Sequence, residues 1–179
     1  TLIAFAIGRY MFKGRSTTNL LIFLPMATPE IVLGASILSL FLVLQINPGF
    51  WPTVIAHIAF CISFVVVTVK SRIASLDPRL EQAAMDLYAN EFQTFRRVTL
   101  PLVAPGIAAA ALLAFSLSFD DFIITNFNSG TVTTFPKFVY GAAARGIPAE
   151  ANVIGSAVFF LALIIVIVGQ VVSRKRKVS

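Results

Sequence analysis

A chain of 179 residues that is 58% hydrophobic and only 12% charged, with a mean hydropathy of +0.89, is too apolar for a soluble domain, in which charged residues make up about 25%. The net charge of +6 would suit a nucleic-acid partner, but every basic cluster flanks an apolar run, so the composition points to a polytopic membrane protein and away from nucleic acid. The single cysteine, Cys61, excludes an intramolecular disulfide, and its place inside an apolar run marks it as a buried hydrophobe.

Residues 1–12, TLIAFAIGRYMF, extend only about 18 Å as a helix, short of a bilayer core of about 30 Å. Without an initiator methionine at Thr1 they read as the end of a span whose beginning is missing. Arg9, Lys13 and Arg15 close the segment instead of preceding it, which argues against a signal peptide. The run from about Asn19 to Ile46 is long enough to cross with tilt. Pro25 and Pro29, with Glu30 beside them, predict a kink near its middle. Asn47-Pro-Gly-Phe-Trp-Pro52 reads as a tight turn with an interfacial Trp51. The next span, about Val54 to Val69, ends at Lys70 and Arg72; its lone His57 is expected to hydrogen-bond between helices, not to hold a metal or relay protons.

Residues 77–106 form the one long polar, helix-competent segment. Asp77 before Pro78 predicts an N-cap with proline at the first helical position. Leu80, Ala83, Ala84 and Leu87 recur at i, i+3, i+4 and i+7, an apolar face opposite Glu81, Gln82 and Asp86. Asn90 and Gln93 approximate a capping box for a second helix with an apolar side of Phe92, Phe95 and Val98, which Pro101 is expected to stop. The unit reads as a helix-turn-helix. A hairpin lying on the membrane would favour a lysine-rich polar face, whereas the first helix here carries acids and amides.

A fourth apolar segment, about Gly106 to Phe127, contains Asp120 and Asp121. Asn128-Ser-Gly130 ends it, and a polar loop with Thr131, Thr133, Thr134, Lys137, Arg145 and Glu150 leads to a last span, about Val153 to Val172, followed by the basic tail Arg174–Lys177. Lysines and arginines divide sharply between the two sides. One side holds Arg9, Lys13, Arg15, Lys70, Arg72, Arg79, Arg96, Arg97 and the four of the tail, twelve of the fourteen; the other holds Lys137 and Arg145. The positive-inside rule puts the first side, with the helix-turn-helix and the C-terminus, in the cytoplasm.

No reaction chemistry is legible. There is no G-x-x-x-x-G-K-[ST] for ATP, and one histidine cannot make H-E-x-x-H. Asp120 and Asp121 are adjacent on a helix, so they point about 100° apart and cannot share a proton as a facing dyad. The sequence therefore predicts neither enzyme, cofactor nor metal site. Acids inside a membrane are expensive and normally line a cavity or meet a partner. Ser118, Asp121, Thr125 and Asn128 recur at i, i+3, i+7 and i+10, and Ser116 and Asp120 at i and i+4. Two readings follow: a pore wall that attracts cations, or acids that are protonated or paired with an arginine of another subunit.

The stretch EQAAMDLYANEFQTFRRVTLPLVAPGI (Glu81 to Ile107) resembles the cytoplasmic coupling loop of permease subunits of binding-protein-dependent ABC importers. That resemblance implies an all-α polytopic transmembrane bundle of the type I importer kind. Its loop would lodge in a groove of an ATP-binding subunit through Glu81, Gln82, Ala83, Ala84, Asp86, Tyr88, Phe95 and Pro101. Gln82 stands where the family usually has its first glutamate, and Tyr88 where it usually has glycine. Tyrosine lacks the freedom of glycine at φ > 0, so the turn is expected to shift towards Asn90.

The segments LPMATPEIVLG (Leu24 to Gly34), SFDDFIITNFNSG (Ser118 to Gly130) and PKFVYGAAARGIPAEANVIG (Pro136 to Gly155) are similar to the spermidine/putrescine branch of these permeases, in particular its second permease subunit. The resemblance implies a single permease domain in a bacterial inner membrane, two ATP-binding subunits that hold the ATP, a second permease subunit, an external binding protein, surrounding lipid and a cationic substrate. Glu30, Asp120, Asp121, Thr125 and Asn128 would line the substrate pathway. Permeases for ferric iron, thiamine or phosphonates share the architecture and supply the alternative substrates; a membrane assembly subunit that transports nothing is the alternative class.

Overall fold

Proline placement decides where the apolar segments become straight helices and where they break. The computed structural model describes residues 1–143, 146 and 149–175, without the side chains of 149–151, 166 and 168–175. Among the described residues there are helices and no strand. Thr1–Val132 and Thr133–Ser179 are separate compact units. The first contains α1 (Leu2–Arg9), α2 (Arg15–Ala27), α3 (Glu30–Val43), α4 (Phe50–Ala74), α5 (Arg79–Asp86), α6 (Glu91–Thr94), a π-helical turn (Phe95–Thr99), α7 (Leu100–Asp120) and α8 (Ile123–Asn128).

The centre of that unit is α4, which packs against α1, α2, α7 and α8. One cluster joins Ala4 and Phe5 of α1, Val66, Val69 and Ile73 of α4, and Val103 and Ala110 of α7. A second joins Ala56, Phe60 and Cys61 of α4 to Ile124 of α8, and the Cys61 thiol donates to Ala114 O at 3.6 Å. Lipid is as apolar as leucine, so such contacts gain from close packing more than from leaving water. Gly106 shows how close: a Cβ there would lie 2.6 Å from Arg72 Cβ. The guanidinium of Arg72 then caps Leu102 O through Nε at 3.2 Å and Nη2 at 2.9 Å.

Three sequence expectations need correction. The run from Asn19 to Ile46 is not one kinked helix, because α2 and α3 meet at 109°. Pro29 forces Thr28 into extended backbone (φ −84, ψ 132), while Pro25 lies inside α2 without ending it. Pro101 does not stop its helix either. A 30-residue helix, Glu91–Asp120, runs through it, with Leu100 N–H donating to Phe95 O in the π turn just before; that wider turn relieves the crowding a proline ring meets in a regular helix. The fourth apolar segment is interrupted at Asp121, whose extended backbone separates α7 from α8.

Phe50–Ala74 and Glu91–Asp120 are each long and apolar enough to cross a membrane, and the α2–α3 pair counts as a third if it forms one broken span. In the second unit, α9 (Phe135–Ala143) packs against α10 (Ala149–Lys175). The stretch expected as a polar loop therefore contains a helix, with Pro136 tolerated in its first turn. The last predicted span falls in α10. Arg145, Arg176 and Lys177, and the side chains of Glu150, Arg174 and Lys175, lie outside the described residues.

Candidate functional site

The arm between α4 and α7 is built by local capping. Asp77 Oδ1 accepts the Arg79 N–H at 2.9 Å and opens α5 one residue later than proline placement suggests. The capping box is complete: Gln93 N–H donates to Asn90 Oδ1 at 2.8 Å, and Asn90 N–H donates to Gln93 Oε1 at 3.1 Å. Between the two helices the turn differs from expectation. Tyr88 itself takes the left-handed conformation (φ 63), and Asn90 stays extended (φ −74, ψ 167). With Asn90 committed to capping α6, the left-handed position falls to the residue that closes α5, and Tyr88 can occupy it because its 98% exposed side chain meets nothing.

No residue of α5 is buried. Its apolar face turns outwards: Leu80 is 46% exposed and Leu87 81% exposed, Ala83 is exposed and Ala84 half-buried. Phe92, in α6, is 69% exposed. Gln82, Asp86 and Pro101 are exposed as well. Glu81 and Phe95 face the other way. Glu81 lies 3.5 Å from Arg9 Nη2 and accepts from Thr99 Oγ1 at 3.1 Å, and Phe95 packs edge-on against Phe5 with ring centroids 5.1 Å apart.

A second polar group lies within the helices, where α7 breaks. Ser118 Oγ is 2.8 Å from His57 Nδ1, and His57 Nε2 is 2.8 Å from Thr125 Oγ1. Thr125 Oγ1 donates to Asp121 Oδ2 at 3.4 Å. One assignment satisfies the chain: Ser118 donates to Nδ1, Nε2–H donates to Thr125, and Thr125 donates to Asp121. Asp121 also accepts the N–H groups of Thr125 at 3.0 Å and Ile124 at 3.4 Å, so it caps the start of α8; His57 Nε2 is 3.5 Å from its Oδ2. The Asn128 side-chain amide ties α8 to α3 by donating to Gly34 O at 3.3 Å, and the Asn128 backbone carbonyl accepts the Gly49 N–H at 2.9 Å.

Of the five residues expected along a substrate pathway, Asp121, Thr125 and Asn128 are buried and hydrogen-bonded within the chain, whereas Glu30 and Asp120 are exposed. Sequence reasoning grouped Ser118, Asp121, Thr125 and Asn128 but missed that His57, 61 to 68 positions away from Ser118 and Thr125, is the residue on which the first three converge. A histidine inside one apolar run and acids inside another were the available signal, since buried polar groups need partners. Among the described residues no cluster of three or more His, Cys, Asp or Glu side chains could hold a metal.

A family model described as binding-protein-dependent transport system inner membrane component matches residues 1–177. The chain is 38% identical over 177 residues to the spermidine/putrescine transport system permease protein PotC of Escherichia coli (strain K12), covering 98% of this chain and 67% of that protein. It is 35% identical over 175 residues to PotC of Haemophilus influenzae (97% and 68%). It is also 36% identical over 165 residues to the putrescine transport system permease protein PotI of Escherichia coli (strain K12), covering 87% of this chain and 58% of that protein.

Proposed function

The chain belongs to the family of binding-protein-dependent transport system inner membrane components, and on that premise we propose that it is the permease subunit of an ABC importer that carries polyamines, spermidine or putrescine, into the cell. The outward apolar face of α5 carries this reading. Leu80, Ala83, Leu87, Tyr88 and Phe92 are all exposed apolar or aromatic residues, at the end of an arm continuous with a 30-residue helix. A surface of that kind suits a partner protein. The partner of matching role is an ATP-binding subunit: its movement on binding and hydrolysing ATP would pull α5 and, through the π turn, tilt α7. The chain itself then needs neither nucleotide nor cofactor. A second permease subunit would complete the pore, two ATP-binding subunits would dock from the cytoplasm, and an external binding protein would deliver substrate. The clustering of Arg72, Arg79, Arg96 and Arg97 around the arm supports a cytoplasmic position for it and for the C-terminus.

Glu30 and Asp120 are the exposed acids that would meet a cationic substrate; Asp121 and Thr125, through His57, and Asn128, through Gly34 O, would hold the helices that carry them. Exposed carboxylates in a narrow pore attract a di- or tri-cation with little screening. Removing both charges, Glu30→Gln with Asp120→Asn, should slow uptake of labelled spermidine by about tenfold, the equivalent of about 1.4 kcal/mol at the transit state. Unchanged uptake by an intact complex would return the substrate to the alternatives of ferric iron, thiamine or phosphonate.

A further inference from the structure

The inner face of α5 is distinct, because a helix with no buried residue has little packing to fix its position against the membrane helices. What fixes it is polar. Glu81 Oε1 accepts from Thr99 Oγ1 at 3.1 Å and lies 3.5 Å from Arg9 Nη2; that nitrogen also donates to Leu76 O at 3.4 Å. Thr99 is buried at the end of the π turn, and its hydroxyl also reaches Thr94 O at 3.5 Å, across that turn. Beside them the Phe5–Phe95 edge contact joins α1 to the same turn. Three elements distant in sequence, α1, α5 and the π turn, thus meet at one carboxylate.

We propose that Glu81 is a positioning residue for transport, a clasp that fastens α5 to α1 and to the π turn so that the three move as one body. The proposal rests on the reading of α5 as the docking arm, and it assigns Glu81 an internal role instead of a contact in the groove of the ATP-binding subunit. Its physical basis is that the arm has two weak places, the turn at 87–90 and the π turn, where hydrogen bonding is irregular and a helix bends most readily. Without the clasp, a pull on α5 is absorbed by bending there. With it, the pull reaches α1 and α7 together, and both are packed on α4.

The test uses the full-length permease reconstituted with its second permease, ATP-binding subunits and binding protein. Arg9→Ala, Glu81→Ala and Thr99→Val should each keep the ATP-binding subunits in the purified complex while lowering spermidine uptake per ATP hydrolysed about fivefold or more. The Arg9→Ala/Glu81→Ala double variant should be no worse than the poorer single. Multiplying losses, or loss of the ATP-binding subunits from Glu81→Ala alone, would overturn the clasp and make Glu81 a docking contact. A rescue experiment guards against variants that merely fold poorly. In a Cys61→Ser background, Arg9→Cys/Glu81→Cys should be uncoupled until a short bifunctional thiol reagent bridges the two positions, which should restore uptake; uptake that stays low after bridging contradicts the proposal. Failure of the docking reading shows separately, as an Ala83→Asp variant that keeps both its ATP-binding subunits and full uptake.

Discussion

Replacing Asp121 with asparagine distinguishes a residue that holds the wall from one that meets the substrate. If its charge were unpartnered in the membrane, removing it would stabilise the protein. The structure predicts the opposite. Asp121 accepts from Thr125 N at 3.0 Å and from Ile124 N and Thr125 Oγ1 at 3.4 Å, with His57 Nε2 at 3.5 Å. Asparagine has one acceptor oxygen, so its NH2 group must face at least one of these donors. Leaving a buried donor without its acceptor costs about 1–3 kcal/mol. The weaker of the contacts being long, the loss should be about 2 kcal/mol, or roughly thirtyfold in the folded-to-unfolded ratio. His57→Ala should cost a comparable amount, and the two together less than their sum, because they share the network. Denaturant unfolding of the purified complex, measured beside spermidine uptake, gives both readouts. An Asp121→Asn complex as stable as the parent but tenfold slower in uptake would refute the argument and put Asp121 in contact with the substrate.

Gly106→Ala places a methyl 2.6 Å from Arg72 Cβ, which no rotamer of Arg72 relieves, so it should destabilise by about 1–3 kcal/mol in thermal unfolding. Asn90→Ala removes one half of a complete capping box and should cost about 1 kcal/mol, seen as faster amide exchange in α6. Tyr88→Gly relieves a left-handed backbone and should slow exchange across the 87–90 turn, by up to about 1 kcal/mol. A cysteine at Arg96 in a Cys61→Ser background should react with an impermeant thiol reagent only from the cytoplasmic face; labelling from outside intact cells would reverse the topology.

The local features of the arm were legible because their causes are local. Asn90 and Gln93 make the capping box their spacing predicts, Asp77 accepts from Arg79 although α5 opens one residue later than expected, and the i, i+3, i+4, i+7 pattern identified the face that α5 turns outwards. Proline positions located the irregularities but not their outcome. Pro29 turned a kink into a 109° bend, while Pro101 was absorbed by a π turn, which depends on the register of the helix before it. Periodicity along the fourth segment assumed an unbroken helix, yet the break at Asp121 leaves Ser118, Asp121 and Thr125 gathered on His57. Nothing within either segment records that meeting, nor that Glu81 turns inwards to Arg9, 72 positions earlier. Both are contacts between elements far apart in the chain: His57 lies on α4, against which α7 and α8 pack, and Arg9 on α1, which also packs on α4.

The central claim, that the outward face of α5 is the surface through which an ATP-binding subunit drives polyamine import, is tested most directly by Ala83→Asp in the full-length permease. Ala83 is exposed, so the substitution should leave the fold unchanged while placing on the docking surface a charge that must lose its water on contact. ATP-dependent uptake of labelled spermidine into proteoliposomes should be present for the parent complex and abolished for Ala83→Asp, with the ATP-binding subunits lost on purification. Uptake that persists with those subunits still bound, or a parent complex that hydrolyses ATP without taking up spermidine or putrescine, would contradict it.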